Sequence, residues 1–265
     1  MRRFSIPVDT RAPTGATNAY LLGDRDPAGG PDSEKLLVDP ASPQEDLETA
    51  VESHGVDHVA VTHTHPDHVG AVDHYAGNQS GEATVWAHAN FVEEFRTATG
   101  VEPDRTFADG DQIGPATVVA TPGHARDHVA FAFADESGRE RLLVGDLAVA
   151  EGSVVVGGAG ADLIDYLDSL RRVRERDPHR LHPGHGPTID DPVATIDRLI
   201  DHRLDREEKV LAAVDDGATD VDGVVDAAYD KDLTGVEDLA RATTVAHLEK
   251  LLADGRIDDS WREHL

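Results

Sequence analysis

Six consecutive residues, His63-Thr64-His65-Pro66-Asp67-His68, hold four groups able to bind a divalent cation. Imidazole nitrogen and carboxylate oxygen suit zinc, and also manganese or iron. His63 and His65 are two apart, so in an extended segment their side chains share a face and can reach one ion. Asp67 and His68 follow where the chain turns and can face a second ion. The apolar run Val59-Ala60-Val61 precedes them, which places the cluster where a strand ends and a loop opens. A polar turn with incidental histidines is the plainer reading, but it does not need four ligands in six residues.

Two ions need more ligands than this cluster supplies. Thr121-Pro122-Gly123-His124 offers one after the strand-like run 117–120. Leu143-Val144-Gly145-Asp146 offers a carboxylate, and His182-Pro183-Gly184-His185 offers another imidazole. Each follows a strand-like or short apolar stretch, the usual edge for a site built from loops. Singly, a Gly-Asp or Pro-Gly-His is an ordinary turn. Together with the first cluster, the three complete a seven-ligand set.

The elements that must position this set read as alternating strands and helices. Strand patterns occur at 4–8, 18–23, 36–39, 56–62, 84–87, 117–120, 129–133 and 142–144. Ser42 as N-cap, Pro43 at the first helical position and Glu45 predict a helix to about Ser53. Further helices are expected near 68–76 and 89–98. Another spans about 162–176, with Leu163, Leu167, Leu170 and Val173 on one face. The grouping suggests an α/β protein, two packed sheets with helices outside. After about Asp190 the pattern becomes helical: 192–215, 221–230 and 236–254, punctuated by glycines, with a short strand around Arg256-Ile257. Two domains are therefore expected, 1–190 with the ligands and 191–265 as a small helical or winged-helix-like appendage.

Composition bounds the rest. The chain has 265 residues, no run of eighteen apolar residues and no apolar stretch behind Met1-Arg2-Arg3. Neither a membrane span nor a secretory signal is expected, and cytoplasm is the default location. Absence of cysteine excludes disulfides and thiolate ligands. The 52 acidic residues outnumber 24 basic ones, a net charge of -28, and they are spread along the whole chain. That is the composition of a surface adapted to high salt, where self-repulsion is screened.

The pattern His63-x-His65-x-Asp67-His68, then His124, Asp146 and His185, resembles the metallo-β-lactamase superfamily. The resemblance implies an αββα sandwich with two divalent ions, most simply zinc, at one edge. One ion would take His63, His65 and His124; the other Asp67, His68 and His185; Asp146 would bridge. Asp39 matches the superfamily's first acidic position and is expected to accept hydrogen bonds rather than bind metal. An aspartate bridge belongs to the hydrolase and nuclease branches, whereas the antibiotic-destroying enzymes use cysteine. Thr121 to His128, Pro183 to Pro187, His202-Arg203, Arg206-Glu207 and the ending Trp261 to Leu265 are similar to the β-lactamase-like protein 2 group. That group carries a winged-helix-like tail, and its animal member is regarded as an endoribonuclease on single-stranded RNA. Ala125 stands where the group usually has threonine, a loss expected to loosen His124.

The ligand set and the resemblance together imply a metal-dependent hydrolase. Two ions about 3.5–4 Å apart would lower the pKa of a shared water toward 7 and so supply a nucleophile for carbonyl carbon or phosphorus. Asp67 and Asp146 would serve this step. His128 is the nearest candidate for protonating a leaving group, or else a hydrogen bonder behind the ligands. His74, His88, His179, His182, His202, His247 and His264 read as surface or packing residues. The substrate expectation is single-stranded RNA. Against it, residues 201–265 hold 8 basic and 18 acidic residues, so no basic stripe guides phosphates. The alternative is a small ester or thioester, as in a glyoxalase II-like enzyme. A metal-sensing DNA-binding protein would not need the full ligand set.

Overall fold

The computed structural model describes residues 1–9, 14–23, 34–77, 83–230 and 232–265. Two sheets form its centre. The first runs in sequential order through β1 (Arg2–Pro7), β2 (Ala16–Leu22), β3 (Leu36–Val38), β4 (His58–Ala60), β5 (Thr84–His88) and β6 (Arg105–Phe107). Its first three strands pair antiparallel, and β3 to β6 are parallel. The second contains β7 (Gln112–Ile113), β8 (Ala116–Ala120), β9 (Val129–Ala134), β10 (Glu140–Gly145) and β11 (Arg180–Pro183). Its spatial order is β11-β10-β9-β8-β7, with only the β10–β11 pair parallel.

Alternation along the strands sorts side chains into layers. Tyr20, Leu22, Leu36, Val38, Phe131 and Leu143 lie between the sheets. Leu21 and Leu37 face away, toward α1 (Glu45–His54), α2 (Pro66–Val69), α3 (Val72–Ala76) and α4 (Val92–Thr99). On the other sheet Ala130, Leu142 and Val144 face α5 (Leu163–Glu175) and the first half of α6 (Pro192–Asp215). The expected helix–sheet–sheet–helix sandwich is what forms. A further cluster joins the second half of α6 to α7 (Val221–Ala228), α8 (Glu237–Ala253) and Trp261 of a closing 3-10 helix, Asp259–His264. Leu248 and Leu251 are fully buried there, each stabilising by roughly 1.5–3 kcal/mol relative to exposure. No helix among the described residues is long and apolar enough to cross a membrane.

Several boundaries differ from the sequence reading. Helix α1 starts at Glu45, with Gln44 as cap accepting from Leu47 N–H at 3.0 Å, instead of at Ser42-Pro43. The preceding segment is held by a neighbouring turn, since the Pro40 carbonyl accepts from Ala71 N–H at 2.9 Å. The helix expected at 68–76 is two short ones, divided at Gly70 and Ala71. Strand β4 ends at Ala60, because Thr62 N–H donates to the Asp39 carboxylate. The short strand expected at Arg256-Ile257 does not form. Arg256 pairs with Glu207 (2.8 Å) and Glu208 (2.9 Å), while Ile257 packs on the helical cluster. Among the described residues beyond Asp190, regular structure is helical only.

Candidate metal centre

All seven ligand candidates converge at one edge of the sandwich, each just past the C-terminal end of a strand. His63 and His65 leave β4 in extended backbone, and Asp67 and His68 occupy the first turn of α2. His124 follows β8, Asp146 follows β10 and His185 follows β11. Three groups have ligand atoms all within 4.8 Å of one another: His63, His65 and His124; His63, His68 and Asp146; Asp67, His68 and His185. Asp146 lies between them. One of its oxygens is 3.5 Å from His124 Nε2, and the other is 3.6 Å from His68 Nε2 and 3.3 Å from His185 Nε2.

Four imidazoles are oriented the same way. His63 Nδ1–H donates to Thr62 Oγ1 (3.0 Å), and His68 Nδ1–H donates to Asp39 Oδ2 (3.0 Å). His124 Nδ1–H donates to the Val155 carbonyl (2.8 Å), and His185 Nδ1–H to that of Ala16 (2.9 Å). Each therefore presents Nε2 to the centre, whereas His65 presents Nδ1, 2.9 Å from His124 Nε2. Nε2 of His63, His68 and His185 and one oxygen of Asp146 are buried without a hydrogen-bond partner. Buried polar atoms left unpaired are costly, of order 1–3 kcal/mol each. Four of them facing one space, with acceptor lone pairs inward, fit a cation.

The surroundings hold the ligands in place. Asp39, whose backbone adopts φ 54°, accepts from Thr62 N–H (2.7 Å), Thr62 Oγ1–H (2.8 Å) and His68. It acts as the acceptor expected. Asp127 accepts from Thr64 N–H at 2.9 Å and fixes the loop between His63 and His65. Asn18 Nδ2–H donates to the Pro183 and Gly186 carbonyls, both at 2.9 Å, and Tyr20 Oη–H donates to Pro183 at 2.7 Å. These bonds set the turn that presents His185. Gly184 is required behind Asp146, because a Cβ there would lie 2.7 Å from its Oδ1 and from a His68 ring carbon. Asp127, Asn18 and Tyr20 carry no local sequence signal of this duty.

Charge divides the centre. Burial, together with the neighbouring imidazoles, holds His63 well below the ordinary histidine range and His65 at about 4. Burial also pushes His68 and His185 down, but carboxylates outweigh it. Asp39 and Asp146 hold His68 well above its usual range, and Asp146 and Asp67 lift His185 to about 10. Asp146 is raised by burial and lowered more by His68 and His185, so it stays ionised.

The structure bears on two further expectations. His128 is buried, and burial lowers it to about 3. Its Nδ1–H donates to the Thr121 carbonyl (3.0 Å), and its Nε2 accepts from Asp146 N–H (3.1 Å). With both nitrogens engaged, it fits the second of its two expected parts, a hydrogen bonder behind the ligands that holds the backbone of Asp146. Ala125 does not loosen His124, whose second ring nitrogen is held by Val155 rather than by residue 125. Of the histidines set aside, His247 and His182 are buried and His74 pairs with Glu48 at 3.2 Å.

Residues 12–185 match the family model of the metallo-β-lactamase superfamily. The chain belongs to that superfamily. Members typically bind two metal ions, and the histidine and aspartate clusters fit this. The chain is a metal-dependent hydrolase of this superfamily. It is 28% identical over 259 residues to a β-lactamase-like protein 2 homolog of Caenorhabditis elegans, covering 92% of this chain and 81% of that one. It is 29% identical over 214 residues to an atrochrysone carboxyl ACP thioesterase of Aspergillus fumigatus, covering 75% and 59%. A metallo-β-lactamase family protein from Thermus thermophilus superposes with a TM-score of 0.74 at 25% identity, over 97% of this chain and 94% of that one.

Proposed function

We propose that His63, His65, His124, Asp67, His68 and His185, with Asp146 between them, hold two divalent cations for hydrolysis of a carboxylic ester or thioester. The orientation of four imidazoles by Nδ1–H donors, with Nε2 turned inward, carries this reading. When bound, such a pair supplies an activated water at neutral pH and positive charge for a developing oxyanion. The chain's own part is to keep His63 and His65 neutral, hold Asp146 ionised between the triads and fix Asp146 from behind through His128. Zinc, manganese and iron all suit this donor set.

The choice of acyl substrate rests on the tail's cations. Of its eight basic residues, seven are described, and all seven are engaged internally. Arg203 and Arg206 donate to the Val154 and Ala228 carbonyls. Lys209, Arg241, Lys250, Arg256 and Arg262 pair with neighbouring carboxylates. Little remains to guide a phosphate backbone. Near the site, Arg126 is exposed two residues beyond His124 and has no ion pair among the described residues, so it offers a cation to an anionic acyl carrier. Cleavage of single-stranded RNA, within reach of the helical 191–265 segment, is the second reading, favoured by the near full-length likeness to the β-lactamase-like protein 2 homolog. Turnover of purified, zinc- or manganese-loaded protein on a panel of acyl thioesters and on single-stranded RNA decides between them. Thioester hydrolysis without RNA cleavage is expected, and the reverse outcome overturns the assignment.

A further inference from the structure

The segment after Asp146 is unusual. Among the described residues, no backbone–backbone hydrogen bond involves 148–157. Its carbonyls are held by side chains instead. Tyr166 Oη–H donates to Leu147 at 2.8 Å, and Arg198 donates to Val149 (3.0 Å), Ala150 (3.2 Å) and Gly152 (2.6 Å). Arg203, only 3% exposed, donates to Val154 and lies over the Tyr166 ring at 5.6 Å. The next carbonyl, Val155, receives the Nδ1–H of His124. Gly157 then rests against α8, where a Cβ would come within 2.4 Å of the Ala242 carbonyl.

We infer that the C-terminal helices are a strut for the metal centre, with Arg198 and Arg203 of α6 as positioning residues. They act through the 147–156 segment, which leads out of Asp146 at one end and orients His124 at the other. The inference rests on the two-cation reading of the site. It gives the His202-Arg203 and Arg206-Glu207 pattern a task inside the molecule. Arg203 braces the metal edge, Arg206 covers the Tyr229 ring at 3.8 Å, and Glu207 ties Lys250 and Arg256 to α6. A segment without a ladder of its own takes whatever shape its partners impose. Deleting two guanidinium partners from it should therefore free His124 to rotate, while the core of each sheet stays intact.

The test uses the full chain. Arg198 is exposed, so Arg198→Ala should fold; Arg203→Met removes the buried contact while keeping an apolar stem. Val224→Ala, in the α7 cluster away from the segment, is the control for loss of tail stability. Zinc content and affinity by chelator competition, and the visible spectrum of the cobalt-loaded protein, are the readouts besides turnover. The expected result is two ions in the wild type. In Arg198→Ala and Arg203→Met one ion should bind about 10–100-fold more weakly with an altered cobalt spectrum. Val224→Ala should melt at lower temperature yet keep both ions. Wild-type affinity and spectrum in Arg198→Ala would overturn the inference, whether or not Arg203→Met folds. Failure of the wild type to bind two ions would instead overturn the reading on which it rests.

Discussion

The two halves of the centre are built from the same kinds of ligand but held in opposite electrostatic states. His63, His65 and His124 face one another with hydroxyl and carbonyl partners behind His63 and His124, and burial keeps His63 and His65 neutral. His68 and His185 sit among Asp39, Asp67 and Asp146, whose charge outweighs burial. One half offers neutral imidazole lone pairs. The other is already balanced by protons that a cation must displace. Loading the second half would therefore release protons that loading the first would not, and Asp146 is the group both halves share.

That makes Asp146 the place where the comparison breaks most severely. Asp146→Ala should empty both halves and lower kcat/KM by at least about 10³-fold, the upper scale for removing one group that stabilises developing charge. Metal analysis beside initial rates checks it, and retained activity with two ions would end the proposal. His65→Ala and His185→Ala separate the halves. Each should reduce the content from two ions to one, read by elemental analysis after gel filtration. Loss of both ions from either variant would show that the halves are not independent. A milder break is Asp39→Asn, which keeps the shape but removes the charge behind His68. It should weaken the Asp67, His68 and His185 half about 10–100-fold and the other half less in chelator competition, since Asp39 reaches His63 only through Thr62.

Acid titration sharpens the same comparison only if unfolding is separated from metal release. His247 of α8 is fully buried with neither ring nitrogen bonded, and burial together with Arg203, Arg206 and Lys250 lowers it to about 3. Between the free value near 6.5 and this one, the unfolded chain takes up a proton that the folded chain refuses. Stability present above about pH 6.5 is therefore lost as pH falls toward 3, by at most about 1.4 kcal/mol per pH unit from this group. His247→Leu should make the fall in denaturant-measured stability over that window shallower. An unchanged slope would mean that His247 contributes nothing to the acid lability.

How much of this is legible in the sequence depends on distance along the chain. The cluster 63–68 can be read because four ligands follow one apolar run. His124, Asp146 and His185 are legible only as a set. The groups that aim them are not, because Asn18 reaches 165 residues to Pro183, Asp127 reaches 63 residues to Thr64 and Arg203 reaches 49 to Val154. No periodicity encodes such pairs. The start of α1 escapes the sequence for a related reason: a local capping signature at Ser42-Pro43 loses to a contact between Pro40 and Ala71. Layer order is recoverable, since alternation in β2, β3, β9 and β10 is a property of each strand alone.

His63, His65, Asp67 and His68 descend from the six-stranded sheet, while His124, Asp146 and His185 descend from the five-stranded one. An ion in either half would draw ligands from both. Each would act as a cross-link over the seam of the sandwich, clamping two layers that are otherwise joined mainly by apolar contact. Cation supply would then set how firmly the molecule is closed. At a free concentration one hundred times the dissociation constant, a single ion adds about 2.7 kcal/mol to folding stability, and chelation should lower the melting temperature even where no substrate is present.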